Sequence, residues 1–448
     1  MTAPNQPTRL GFQFFPDALH YREQDLSEWL PHLISLGANW LVLEAPLQRA
    51  IPEAFINGLK GAGIQPILVF QAKVGVINPL DIRLLLTTYA SWGIQYAAFF
   101  DRPNLRASWH AQNWAQINLV ERFLDIYLPL AEEALKSGLT PLFPALEPGG
   151  DYWDTAFLRT ALESMRRRGY QELLDHLVLG AYGWSSNRPL NWGSGGPEKH
   201  PAAKPYQNTK EVEDHRGFRI FDWYQAIAQA ATGRTMKMIL LGAGSRLGDC
   251  SDPETPPIDE KSHAQVNLAI AQALASPSPA LLPPGVDVIP QAVIVVNFCR
   301  LAADPTSPEA SQAWRLPGGR QLPVVDELKA WMRNQRAAVH RPHPLQPSQP
   351  EPSKPILHYL LLPSFPWGAA GMQLEKLQPF IQKHQPTIGF SIQEAARAQV
   401  VTLFGSLQAY PPDTITRLLN AGCSLQHIAG AGTEIASKLA EHSIQCSI

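Results

Sequence analysis

Cysteine is scarce in this chain: four residues in 448, Cys250, Cys299, Cys423 and Cys446, with no CxxC pair among them. That spacing excludes the common structural zinc sites and the dithiol redox motif. A reduced, cytoplasmic protein is the default expectation, and an extracellular one if an export signal has been removed. The opening MTAPNQPTRLGF has neither the charged nor the apolar region of such a signal. No apolar run approaches the ~20 residues that span a bilayer, so no membrane span is expected. Charge of one sign is also lacking. With 37 Lys plus Arg against 39 Asp plus Glu, no net field draws nucleic acid or an anionic membrane.

The chain is instead rich in proline (41) and tryptophan (12). Its first two thirds alternate short apolar runs with helical patterns. Eight candidate strands stand out: LGFQFF (10–15), NWLVLEA (39–45), QPILVFQ (65–71), YAAFFD (96–101), TPLFPALE (140–147), LVLGAYG (177–183), MKMILLGAG (236–244) and AVIVVNF (292–298). Between them lie amphipathic segments such as DLSEWLPHLISLG and LVERFLDIYLPLAEEALKSG, each closed by glycine. Strict alternation implies parallel strands joined by right-handed crossovers. Eight such units suit a (β/α)8 barrel over residues 1–334, with an open doubly wound sheet as the alternative. Residues 335–355 carry proline at nearly every third position and read as a semi-rigid linker. Beyond it, HYLLLP (358–363), VVTLFG (400–405) and SLQHIAG (424–430) alternate with helical runs, which predicts a small α/β domain over 356–448.

In a (β/α)8 barrel, chemistry gathers where the strands end. The second candidate strand ends in Glu44, the third in Gln71, and the fourth delivers Asp101, Arg102 and Asn104. The fifth runs to Glu147, then to Asp151, Trp153 and Asp154; the sixth leads through Tyr182 and Trp184 to Asn191 and Trp192. The seventh supplies only Gly242, Ala243 and Gly244, and the eighth Asn297 and Arg300. Carboxylates, amides and indoles converging on one cavity suit a carbohydrate, whose hydroxyls need donors and acceptors and whose C–H faces stack on indoles. Trp153 and Trp192 serve equally well as loop anchors, and Asp151 or Asp154 as a cap for the helical run that follows. Glycoside hydrolysis commonly uses two carboxyl groups flanking the bond. Asp101 and Glu147 are the expected pair, with Glu147 as general acid and Asp101 as base or nucleophile. No cofactor or metal is expected. GAGSRLG (242–248) lacks the helix of a dinucleotide-binding turn, and Asp249, Asp252 and Glu254 lack calcium-loop spacing.

The run DRPN (101–104) resembles the Asn-Glu-Pro-Asn signature of clan A glycoside hydrolases, (β/α)8 barrels whose catalytic glutamates end strands 4 and 7. MILLGAGSRLGD (238–249) is similar to their seventh strand and its turn, and QAWRLPGGRQLPVVDELKAW (312–331) to their closing segment. The resemblance covers roughly residues 9–334 and implies action on an oligosaccharide or polysaccharide. Matched residue by residue, Arg102 stands at the acid/base position and Gly242 at the nucleophile's. Arginine gives up no proton at neutral pH, and glycine has no side chain to offer. The chemistry has then moved to Asp101 and Glu147, or the barrel binds glycan without turning it over. VVTLFGSLQAYPPDTITRLLNAGCSLQHIAGAGTEIASKLAEH (400–442) resembles one cell-wall-binding repeat of type 2, with GAGTEIA where that repeat has Gly-x-Asp-Arg-Tyr. This second resemblance implies a cell-surface or protein partner.

Overall fold

The computed structural model describes residues 8–205, 212–276, 282–283, 285–340, 354–363, 378 and 380–428. The chain divides into two compact units, Met1–His340 and Arg341–Ile448.

In the first unit eight parallel strands close into a barrel in sequence order. They are β1 (Leu10–Gln13), β2 (Trp40–Glu44), β3 (Gln65–Phe70), β4 (Tyr96–Phe99), β5 (Thr140–Phe143), β6 (Val178–Trp184), β7 (Met238–Gly244) and β8 (Val293–Phe298). Period-two alternation sorts the side chains into two cores. Val42, Ile67, Val69, Ala98, Leu142, Ile239, Leu241 and Val295 fill the barrel. Their neighbours Leu41, Leu43, Leu68, Phe70, Ala97 and Phe99 face the helices. The helix Leu119–Lys136 shows why the outer layer forms. It buries Val120, Phe123, Leu124, Tyr127, Leu130, Ala131 and Ala134 at three- and four-residue spacing, and Gly138 ends it at a φ of 92° that costs glycine little. The Tyr127 hydroxyl donates to the Leu142 carbonyl at 2.9 Å and ties that helix to β5.

Two boundaries differ from the sequence reading. The fifth strand ends at Phe143 rather than Glu147, since Pro144 brings no N–H to continue the ladder. The helix Pro323–His340 runs through the first residues assigned to the linker, because prolines begin only at Pro342 and Gln335 to Ala338 are good helix formers. The rest of that linker, up to 353, lies outside the described residues.

The second unit holds a four-stranded parallel sheet in the order β10-β9-β11-β12, with β9 at Ile356–Leu361, β10 at Thr387–Gly389, β11 at Ala398–Phe404 and β12 at Ser424–Ile428. Tyr359, Leu361, Val401 and Leu403 pack on one face, and Leu360, Leu362, Phe404 and Ile428 on the other. The short strand β10 has no counterpart in the sequence reading, for three residues are too few to show a period. The Tyr410 hydroxyl lies 2.8 Å from the Leu361 carbonyl and 2.7 Å from that of Phe404, so it bridges the ends of β9 and β11. The segment GAGTEIA lies outside the described residues, as does Cys446.

Candidate active site

A cavity of about 270 Å³ opens at the C-terminal mouth of the barrel. A larger one of about 410 Å³ lies at the opposite end, but residues such as Ala38, Ala271, Leu274 and Trp331 line it, and no titratable group does. Of these two, the mouth is the one with convergent polar groups. Gln13, Glu44 and Gln71 line it from the first three strands, Asp101 and Arg102 from beyond β4, and Tyr182 and Trp184 from β6. Arg246, Cys299, Arg300, Glu309 and Gln312 complete it from the loops after β7 and β8.

Backbone geometry brings Asp101 into this cavity. Tyr96 and Ala98 face the barrel interior, whereas Phe99 and Phe100 both pack in the outer core. Phe100 has a φ of 68° and Arg102 one of 46°, so the alternation breaks and Asp101 turns to the mouth. Each left-handed residue costs roughly 1–3 kcal/mol and needs support from its surroundings. The Phe100 N–H donates to the Phe70 carbonyl at 3.0 Å, Arg102 N–H to Ala145 at 3.0 Å, and the Ser108 hydroxyl to the Asp101 carbonyl at 2.8 Å. Asp101 Oδ1 accepts the Tyr182 hydroxyl at 2.6 Å, and Oδ2 accepts Arg102 Nε at 2.8 Å. Burial, with Asp101 adjacent, pushes the Tyr182 phenol well up, so it stays a donor. Burial draws the Arg102 guanidinium down, but Asp101, Tyr182 and Glu147 more than offset that and raise it overall.

Glu44 continues the inward face of β2 after Trp40 and Val42. Burial raises its carboxyl above the usual range; Arg300 opposes this, while Asp17, Glu309 and Asp101 add to it. Burial thus favours the protonated form of this carboxyl. Across the mouth, Gly242 is tightly enclosed. A Cβ there would lie 2.4 Å from Trp184 Cη2 and 2.9 Å from Gln13 Nε2, so an indole and an amide occupy the space a strand 7 carboxylate would need. Cys299 is no thiolate nucleophile, since burial raises its thiol.

Other residues singled out from the sequence fall elsewhere. Glu147 lies four residues past β5, accepting from Arg102 Nη1 at 3.4 Å, and does not line the cavity. Asn104 is fully buried, donating to the Glu147 and Tyr152 carbonyls at 2.8 and 3.0 Å and accepting the Glu147 N–H at 2.8 Å. Asp151 accepts the Arg106 N–H at 2.7 Å. Trp153 is buried, edge-on to His215 at 5.0 Å. Asn191 accepts the Asp287 N–H at 2.9 Å, and Trp192 donates to Asp214 at 3.2 Å beneath the Arg188 guanidinium. Asn297 is buried in the barrel, donating to the Leu240 carbonyl at 2.9 Å. Asp101, Arg102, Glu44, Tyr182 and Trp184 thus come together, and the others bind loops or strands to one another. Sequence reasoning overlooked Gln13 and Arg246. Gln13 occupies an inward position in an apolar strand, which is a usable signal; Arg246 was hidden in a stretch read only for its glycines. Among the described residues no group of three or more His, Cys, Asp or Glu side chains is arranged to hold a metal ion. No described helix is long and apolar enough to cross a membrane.

No family model matches the sequence, and no curated protein matches it either. Several solved structures are similar in fold. One is a family 128 endo-β-1,3-glucanase from Amycolatopsis mediterranei, 15% identical over 72% of this chain and 99% of that one, at a TM-score of 0.38. A second is the β-glucuronidase 2 of Bacteroides uniformis, 12% identical over 73% of this chain and 35% of that one, at a TM-score of 0.44. A third is an endo-β-1,4-glucanase from Xanthomonas axonopodis pv. citri, 12% identical over 72% and 99%, at a TM-score of 0.36. Likeness at this level carries no argument about what this chain binds or does.

Proposed function

We propose that the barrel acts on an oligosaccharide or polysaccharide at its C-terminal mouth, as a glycoside hydrolase with displaced carboxylates. One observation carries the reading: Glu44, its carboxyl raised by burial, shares a small polar cavity with Asp101, which is held by Tyr182 and Arg102. Two carboxyl groups with different environments are what acid–base cleavage of a glycosidic bond requires. Glu44 protonates the leaving oxygen, and Asp101 either attacks the anomeric carbon as nucleophile or, as base, takes a proton from the water that attacks it. Gln13, Gln71 and Arg102 supply donors and acceptors for hydroxyls. This assignment keeps Asp101 from the sequence reading and moves the acid from Glu147 to Glu44.

The test is hydrolysis of a panel of aryl glycosides and oligosaccharides by wild type, Glu44→Gln, Asp101→Asn and Glu147→Gln. Loss of general acid or base catalysis costs roughly 10²–10⁴ in rate. Glu44→Gln and Asp101→Asn should each lose that much and stay folded, with Glu147→Gln much less affected. Activity that survives Glu44→Gln would sink the assignment.

The enclosure of Gly242 by Trp184 and Gln13 favours a second reading, a glycan-binding barrel without turnover. A wild type that binds oligosaccharide and hydrolyses none of the panel would select it.

A further inference from the structure

Three guanidinium groups line the mouth cavity: Arg102, Arg246 and Arg300. Arg102 is committed to Asp101 and Glu147. The other two stand together on the side of the loops after β7 and β8, and each is held in place while retaining donors.

Arg246 sits in a loop clasped to its neighbour. The Leu247 N–H donates to Gln312 Oε1 at 3.0 Å, and Gln312 Nε2 donates back to the Leu247 carbonyl at 3.0 Å. Its guanidinium lies 4.7 Å from the centre of the Trp184 ring, which itself stacks on Tyr182 at 5.2 Å. Trp184 therefore serves as a pedestal for a cation. Among the described residues the one carboxylate that Arg246 meets is Asp249, at a long 3.4 Å, and Asp249 also accepts from the Ser251 N–H and hydroxyl. The Arg246 side chain remains 39% exposed.

Arg300 is more enclosed, at 13% exposure, with a φ of 47° and an ion pair to Glu309. Its Nε is buried without a hydrogen-bond partner among the described residues. A buried donor left without a partner is costly.

Building on the glycan reading above, we propose that the mouth selects an anionic sugar, one bearing a carboxylate or a sulfate, and that Arg246 and Arg300 receive the anion. Planar guanidinium forks match both groups in a bidentate manner.

The experiment uses the full chain and oligomers of glucuronate, galacturonate and mannuronate, each beside its carboxyl-reduced counterpart. A parallel arm pairs sulfated with desulfated oligosaccharides. Affinity is read by calorimetry at two salt concentrations. At least one anionic member should bind about tenfold or more tighter than its neutral twin, with the advantage shrinking as salt rises. Whichever arm shows the preference identifies carboxylate or sulfate. Arg246→Gln should abolish the preference, and Arg246→Lys, which keeps the charge without the fork, should retain part of it. Neutral members binding as well as their anionic twins, or a preference that persists in Arg246→Gln, would overturn the inference and leave the glycan reading standing. If no member of any pair binds, the glycan reading fails and the inference with it.

Discussion

Asp101 and Asp154 each accept a tyrosine hydroxyl, at 2.6 Å from Tyr182 and 2.8 Å from Tyr224, yet they belong to different kinds of place. Asp154 is fully buried and also accepts from His215 at 2.8 Å and from the Gly149 N–H at 2.9 Å. Around it, Trp192, Asp214 and Arg188 pair among themselves, and Trp153 packs against His215 and Arg216, binding the loops after β5 and β6. Burial raises the Asp214 carboxyl, but its bonds to Arg216 and Trp192 more than compensate and hold it below the usual range. Asp101 faces a cavity instead, beside an Arg102 that is 43% exposed and a Glu44 without a hydrogen-bonded partner for its carboxyl among the described residues. Both regions are rich in acids, arginines and indoles. What separates the mouth from the loop cluster is not residue type but that its acids and arginines line a cavity.

The contrast breaks most visibly at Asp154. Asp154→Ala strands the buried His215 and Tyr224 donors and the half-buried Gly149 N–H, and should cost about 3 kcal/mol or more in a urea melt of the barrel. Glycan affinity in the fraction that remains folded should be unchanged. A loss below ~1 kcal/mol would show that the cluster relaxes freely and that the two regions differ less than their bonding suggests.

The tryptophans sharpen the comparison next. Trp192→Ala removes a half-buried ring with its Asp214 and Arg188 contacts and should lower stability by about 2 kcal/mol while leaving ligand binding intact. Trp184→Ala removes the pedestal of Arg246 and should weaken binding by about tenfold. Binding that falls in Trp192→Ala but not in Trp184→Ala would move the site into the β6 loop.

The smallest effect concerns pH. Because burial raises the Glu44 carboxyl in the folded state, the fold favours its protonated form. Its contribution to stability is fully present below the ordinary glutamate value of ~4.3 and is lost as pH rises through the raised folded value. Glu44→Gln should therefore gain on wild type as pH increases across that window, by at most about 3 °C in Tm. A constant difference from pH 4 to pH 8 would contradict the burial of that carboxyl.

Much of the fold was legible in the chain. Eight apolar runs at regular spacing, separated by helical patterns, describe a barrel because period and alternation are local properties. The position of Glu44 was legible for the same reason, as the inward residue that ends an alternating strand. For Asp101 the residue type was legible and the direction was not. Its type and place suggested a site, but its direction depends on left-handed residues at Phe100 and Arg102, which no local pattern announces. Asn104 and Trp153 have the chemistry of site residues but are engaged inside the protein, and Asn297 is buried with its Nδ2 bonded to Leu240 and its Oδ1 without a partner among the described residues. Whether an amide or indole is spent depends on partners tens or hundreds of residues away, as between Asn297 and Leu240.

The sequence by itself determined the order of strands and helices, the polar strand ends that gather at one face, and the absence of a side chain at Gly242. Those are consequences of periodicity and residue identity. Tertiary structure alone decided that Trp184 and Gln13 fill the space beside Gly242, that Glu147 stays outside the cavity, and that Arg246 and Arg300 stand inside it. Barrel closure brings β8 back beside β1 and sets the loops after β7 and β8 against each other. Which polar groups then remain unpaired is settled by that closure, because hydrogen bonds are used up in three dimensions and not along the chain.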